Sequence, residues 1–181
     1  MMTKAKSQDS FIDKSLYEKN KGYYQRKMEF GRRGDFITSP GISKLFSEMI
    51  AIWIVSFWEN LNKPEKINLV ELGAGNGELI EVLINTLNKL EIVKDKFKFF
   101  IFEKSVSLKK LQKEKFSKSV KWLDNFDKLP NSPTIFLANE FFDALPIKQF
   151  IKMDEEWYEN FVLLNKVGKF TLKKKKVTKK K

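Results

Sequence analysis

Apolar residues return every three or four positions from Ile42 to Phe57, through Leu45, Phe46, Met49, Ile50, Trp53 and Ile54. That period lines one face of a helix, and the expected role of the face is core packing. Ser39 can cap this helix and Pro40 can open it. Asn62-Lys63-Pro64 ends it. Ile67-Asn68-Leu69-Val70 then reads as a buried strand that runs into Glu71-Leu72-Gly73-Ala74-Gly75-Asn76-Gly77. Leu79, Ile80, Leu83, Ile84 and Leu87 mark a crossover helix. Phe97 to Phe102 is a second strand, apolar enough to be buried on both faces, and it ends at Glu103. Leu108, Leu111 and Gln112 lie on another helix. Val120 to Leu123 is a third strand ending at Asp124-Asn125, and Thr134 to Ala138 is a fourth ending at Asn139-Glu140. Strands that alternate with helices predict an α/β fold with a parallel sheet and right-handed crossovers.

The flanks have a different texture. Residues 1–28 are polar and hold one helical pattern, Phe11, Ile12 and Leu16, with Tyr23 and Tyr24 beyond Gly22. A loop dense in glycine and charge follows, Phe30 to Gly41. From Lys148 onward, Gln149 to Met153, Trp157 to Leu164 and Lys169 to Leu172 read as a β-meander. The expected organisation is a helical region with a glycine-rich loop over 1–60, an α/β core over 61–147, a meander over 148–172 and a lysine-rich disordered tail over 173–181.

Composition narrows the chemistry. The 181 residues, 42% hydrophobic, suit one compact domain, or one with an appendage. The absence of cysteine excludes disulfides, thiolate nucleophiles and thiolate metal sites. The absence of histidine excludes the usual general base, a Ser-His-Asp triad and the commonest zinc ligand. Carboxylates, lysine, tyrosine, backbone groups or a cofactor must do the work, and no metal is expected. The net charge of +12 invites a nucleic-acid reading. Seven lysines of Lys173–Lys181 supply much of it, and without them the charge falls to +5 (12 − 7). The tail reads as a solvated end, with an acidic partner as the alternative. No stretch is long and apolar enough to span a membrane. The N-terminus lacks the apolar core of a signal peptide and makes a poor transit peptide, so a cytoplasmic location is expected.

The candidate site is the glycine run. An acid at a strand end, then Gly73, Gly75 and Gly77, then a helix N-terminus, makes a notch for a nucleotide-sized ligand. Dinucleotide enzymes show G-x-G-x-x-G; here Glu78 stands where their third glycine falls. G-x-G-x-G with an acid two residues before it resembles the first motif of class I S-adenosylmethionine-dependent methyltransferases. The alternative is a glycine-rich turn that holds nothing. A cofactor carrying its own reactive group suits a chain without cysteine or histidine. In open parallel sheets, ligands bind beyond the carboxyl ends of the strands, at the point where strand order reverses. Glu71, Glu103, Asp124 and Asn139-Glu140 all fall at such ends.

Three segments together resemble the MidA family of class I methyltransferases, which includes the mitochondrial enzyme that assists respiratory complex I assembly. They are Phe30-Gly-Arg-Arg-Gly-Asp-Phe-Ile-Thr-Ser-Pro40, the Glu71–Gly77 notch, and Asn139-Glu-Phe-Phe-Asp-Ala-Leu-Pro146. The resemblance runs from about Tyr23 to Leu164 and corresponds to roughly the N-terminal half of a typical member. Gly41 departs from it, where the family usually has glutamate, as do Ala74 and Asn76, where proline and arginine often flank the middle glycine. The resemblance implies a Rossmann-like class I methyltransferase sheet with flanking helices, here incomplete. It implies S-adenosylmethionine as cofactor and an arginine on a partner protein as substrate.

By the same resemblance, Gly73, Gly75 and Gly77 let the cofactor's amino-acid part and ribose lie on backbone. Glu71 binds the methionine amino group, directly or through water. Glu103 accepts from both ribose hydroxyls, and Asp124, or Asn125 beside it, meets the adenine amino group. Asn139 adds a cofactor contact. Gly34 and Asp35 sit on a loop that closes over cofactor or substrate. Glu140 and Asp143 are the catalytic candidates: a pair of carboxylates can hold a planar, permanently charged guanidinium. The expected compartment becomes the mitochondrial matrix if the source is eukaryotic. Two other readings stand beside this one. Asn139-Glu140-Phe141-Phe142 echoes the spacing of base N-methyltransferases, but both of their prolines are missing, and an acid there repels phosphate. The chain also reads as an inactive cofactor-binding fragment that needs its other half.

Overall fold

The computed structural model describes residues 5–25, 38–116, 118–165 and 167–178. In chain order its elements are β1 (Lys6–Ser7), α1 (Gln8–Tyr17), α2 (Ser39–Ile42), α3 (Lys44–Asn60), β2 (Ile67–Leu72), α4 (Glu78–Leu87), β3 (Phe97–Phe102), α5 (Val106–Phe116), β4 (Val120–Leu123), β5 (Thr134–Leu137), β6 (Phe150–Met153), β7 (Glu156–Leu164) and β8 (Phe170–Lys176). They fall into two compact units, residues 27–142 and residues 1–26 with 143–181. This division differs from the one expected. The helix after Pro40 belongs with the sheet, and the N-terminal helix belongs with the meander.

The unit 27–142 is built on a parallel sheet of order β4-β3-β2-β5. The chain steps outward from β2 to β3 to β4 and then returns to the far side of β2 as β5. Strand order therefore reverses between β2 and β5, whose carboxyl ends flank the switch point. β2 runs two residues past the expected Val70, so Glu71 is a strand residue, opposite Ile101 on β3 and Leu137 on β5. One apolar cluster joins Ala51, Ile54 and Trp58 of α3 and the buried face of α4 to Leu69 and Ile101. A smaller cluster gathers Val70, Phe100 and Leu123. Only a 3-10 turn, Phe126–Lys128, interrupts the crossover from β4 to β5. A full helix would bury more, and Phe126 and Phe136 remain largely exposed.

The helix expected from Pro40 is two helices. Ser43 is extended, at φ −144°, and separates α2 from α3. The break sets Gly41 against α4, where a Cβ would lie 2.6 Å from Glu78 Oε2. The packing face of α3 is also not the expected one. Ser47, Ala51, Ile54 and Trp58 are buried, while Leu45, Met49 and Trp53 are 63%, 58% and 51% exposed. Ile50, Ile52 and Val55 make α3 apolar nearly all round, so periodicity could not choose the face. Two of the four buried residues, Ser47 and Ala51, are small, and a search for large apolar positions passes over them. Trp58 closes the helix end by donating from Nε1 to Pro64 O at 2.9 Å.

In the other unit, β6, β7 and β8 form the expected antiparallel meander. β7 is its centre. β8 pairs along one edge, from Tyr158 to Leu164. The other edge is shared between β6, opposite Glu156–Glu159, and β1, opposite Phe161 and Val162. Asp154 and Glu155 turn the first hairpin, both left-handed at φ 47° and 62°, as a tight two-residue loop requires. The expectation of a disordered tail from Lys173 is corrected: Lys173–Lys176 continue β8. Backbone pairing needs no apolar side chain. Lys176 meets Glu156 at 3.1 Å and Lys175 lies over the Phe161 ring.

Candidate functional site

The turn after β2 is left-handed at every glycine: φ is 66° at Gly73, 55° at Gly75 and 81° at Gly77. Side-chain-bearing residues adopt this region at a cost. Space adds a second requirement. A Cβ on Gly73 would lie 2.8 Å from the Phe141 ring, and one on Gly77 would run into the Phe116 ring. Gly77 caps α4, and Asn76 Oδ1 accepts from the Glu78 N–H at 3.3 Å. The chain thus turns sharply at the sheet edge and delivers the helix N-terminus there.

Two buried carboxylates sit beside this turn. Glu71 is 4% exposed. The Ile80 N–H donates to its carboxyl, but Oε2 has no hydrogen-bond partner among the described residues. Burial pushes its pKa up to about 8, and the Glu103 charge adds to that. Glu103, also buried, accepts at Oε1 from the Ser105 N–H, 2.9 Å, and at Oε2 from Gln112 Nε2, 3.2 Å. Burial raises its pKa too, against the pull of these donors and of Lys109. Gln112 Nε2 also donates to Gly75 O at 2.8 Å, and its Oε1 accepts from Trp122 Nε1 at 3.0 Å.

The structure brings Glu71, Gly73, Gly75, Gly77 and Glu103 to one carboxyl edge, with Asn139 and Glu140 following β5, the neighbour of β2. Asn139 is half-buried. Glu140 is exposed and left-handed at φ 48°, and the next residue, Phe141, covers Gly73. A glutamate held in that conformation is the kind of local strain that clusters at functional loops. Asp124 and Asn125 are exposed. Asp124 pairs with Lys109 at 2.9 Å and Lys128 at 3.7 Å, and these lysines hold its carboxyl below the usual range. Asp143 is exposed and belongs to the other unit. Gly34 and Asp35 lie outside the described residues.

Three residues that shape the turn escaped the sequence reading: Gln112, Phe116 and Phe141. For the first two a signal exists. Leu108, Gln112 and Phe116 recur every four residues and are the buried stripe of α5, so Gln112 is a polar residue on an apolar face. Phe141 stands in the Asn139-Glu140-Phe141-Phe142 run, but nothing in that run says that its ring reaches Gly73 from the loop after β5.

The arrangement fits a nucleoside-bearing cofactor. Left-handed glycines make the sharp turn, with the Phe141 and Phe116 rings against Gly73 and Gly77, one buried carboxylate is fixed by donors, and a second has an oxygen without a partner among the described residues. Comparison with known proteins agrees. The profile of a family described as "Putative S-adenosyl-L-methionine-dependent methyltransferase" matches residues 49–181. The mitochondrial protein arginine methyltransferase NDUFAF7 homolog of Drosophila melanogaster is 34% identical over 161 residues, 76% of this chain and 37% of the relative. Human mitochondrial protein arginine methyltransferase NDUFAF7 is 32% identical over 177 residues, 84% of this chain and 40% of its own length. A Burkholderia thailandensis protein, described as a "likely methyl transferase" and crystallised with S-adenosyl-homocysteine, superposes with a TM-score of 0.79 at 25% identity, over 97% of this chain and 47% of its own. The chain spans about two fifths of the length of the curated relatives it matches.

Proposed function

Because this chain belongs to the family of S-adenosyl-L-methionine-dependent methyltransferases whose profile matches residues 49–181, we propose that its glycine turn binds S-adenosylmethionine for methylation of an arginine on a partner protein. The observation that carries the cofactor half is Oε2 of Glu71, buried beside three left-handed glycines and without a hydrogen-bond partner among the described residues. A buried acceptor without a partner costs about 1–3 kcal/mol. Such a group persists where a ligand completes it.

When bound, S-adenosylmethionine supplies a methyl group already activated on a sulfonium, so the protein's part is holding and orienting. Glu103, fixed by Ser105 and Gln112, keeps a lone pair on each oxygen for the ribose hydroxyls. Glu71 takes the amino group of the methionine part, and the glycine backbone lies along the rest. Lys109 and Lys128 hold the Asp124 carboxylate, so the Asn125 amide is the group that meets adenine, and Asn139 adds a contact from the end of β5.

The arginine half is supported by the names of the relatives. Glu140 offers an exposed carboxylate in the loop over Gly73, suited to a planar guanidinium. Asp143, three residues on, is the second acid that the family resemblance offers. The compartment follows the source, cytoplasm in a bacterium and mitochondrial matrix in a eukaryote.

The test is incubation of the chain with methyl-tritiated S-adenosylmethionine and a protein extract, followed by amino-acid analysis. Label in methylarginine, reduced about tenfold or more by Glu140→Gln, is the expected outcome. Label in nucleic-acid bases, or none in any acceptor, overturns the arginine half.

A further inference from the structure

We propose that Gln112 is a positioning residue for the cofactor: its amide ties the Gly75 carbonyl of the glycine turn to the Glu103 carboxylate, and Trp122 fixes that amide. This inference rests on the cofactor reading above. Gln112 is fully buried, at 0% exposure, in the middle of the apolar stripe of α5. Its two N–H bonds go to different segments, Gly75 O at 2.8 Å and Glu103 Oε2 at 3.2 Å, and its oxygen accepts from Trp122 on β4 at 3.0 Å. The orientation is set by chemistry. The indole N–H only donates, and a carbonyl and a carboxylate only accept, so the amide fits one way round.

One helix thus supports the glycine turn twice. Gln112 holds Gly75, and one turn later the Phe116 ring backs Gly77. The two groups that Gln112 joins are those that would face different parts of one ligand, the glycine turn and the acid for the ribose. Separation by less than an ångström would break that match. Gln112 also donates to the ionised form of Glu103. The charged groups that bear on Glu103 are Glu71 on β2, which repels, and Lys109 on α5, which attracts. Without the amide, Glu103 holds its proton to higher pH, and a protonated carboxyl accepts poorly from two hydroxyls.

The experiment is calorimetric titration of the 181-residue chain with S-adenosylhomocysteine between about pH 6 and 9, with melting temperatures in parallel. The variants are Gln112→Met, Trp122→Phe, Glu103→Gln and the Gln112→Met/Glu103→Gln double. Gln112→Met is expected to weaken binding about tenfold, with the acid limb of the affinity profile moved to higher pH. Trp122→Phe keeps Gln112 but frees its amide, and is expected to weaken binding about threefold in the same direction. Gln112→Met is expected to cost less on top of Glu103→Gln than it costs in the wild type, since part of its effect runs through Glu103 and only the hold on Gly75 remains to be lost. Wild-type affinity and profile in Gln112→Met, with binding lost in Glu103→Gln, overturn the role of Gln112 and leave the cofactor reading intact. If Gln112→Met does not fold, an unchanged affinity and profile in Trp122→Phe overturns it instead. No binding by the folded wild type overturns both.

Discussion

Glu71 combines a buried carboxyl, an oxygen without a partner among the described residues and a pKa near 8, and this combination has a thermodynamic sign. The folded pKa lies above the ordinary glutamate value of 4.5. The contribution to stability is therefore complete below about pH 4.5 and is lost as pH rises through about 8. Glu71→Gln cannot ionise and lacks this slope. At pH 8 the ligand-free variant is expected to gain about 2–4 kcal/mol on the wild type, relative to their difference at pH 5, by urea denaturation. Glu103 is shifted the same way, and because the two acids repel each other, Glu71→Gln also relieves part of the Glu103 shift and moves the difference in the same direction. A parallel pair of curves contradicts the burial argument. The expected gain means that the ionisable residue is kept for the ligand and not for stability. Titration with S-adenosylhomocysteine near pH 7 is expected to release about one proton as the ligand's ammonium draws Glu71 into its ionised form. Heats measured in buffers of different ionisation enthalpy read that number directly. Gly77→Ala is expected to destabilise by about 2–4 kcal/mol, because a side chain there meets both the left-handed backbone and the Phe116 ring.

At the scale of elements, legibility followed how one-sided each signal was. β3 and β4 lie where their apolar runs placed them, because a short strand that is apolar at all but one position, Lys98 and Lys121 here, needs no choice of face. For α3 the helix was legible and its packing face was not, since large apolar residues occur on both sides of the small ones. β1 is two residues long and carries no period. β8 runs through lysines whose pairing is a backbone matter. The exposed side of α3 carries Trp53 and Phe57, with ring centroids 4.2 Å apart. Trp53→Lys is expected to leave the melting temperature within about 2 °C of wild type and to lower binding of a hydrophobic dye. Ala51→Leu, on the buried side, is expected to cost about 1–3 kcal/mol by overpacking against α4. The opposite ranking of the two melting temperatures contradicts the assignment of the faces.

For the whole molecule, the outline of the site was readable because topology does much of the work. Once the strands are parallel and the order reverses beside β2, the residues at the ends of β2, β3 and β5 fall on one edge. What could not be read was each side chain's surroundings: that two lysines engage Asp124, that Gln112 reaches across three segments, that Phe141 lies on Gly73. Those depend on packing that no spacing records. The glycine turn and both buried acids lie in this chain, which spans about two fifths of the length of its curated relatives, so the proposed cofactor site can be put to the test on it. The most direct measurement is calorimetric titration of the folded 181-residue chain with S-adenosylmethionine, beside Glu103→Ala. The account predicts binding in the micromolar range, about 8 kcal/mol, weakened about a hundredfold by the substitution. A folded chain that takes up no ligand, or a variant that binds as well as the wild type, contradicts it.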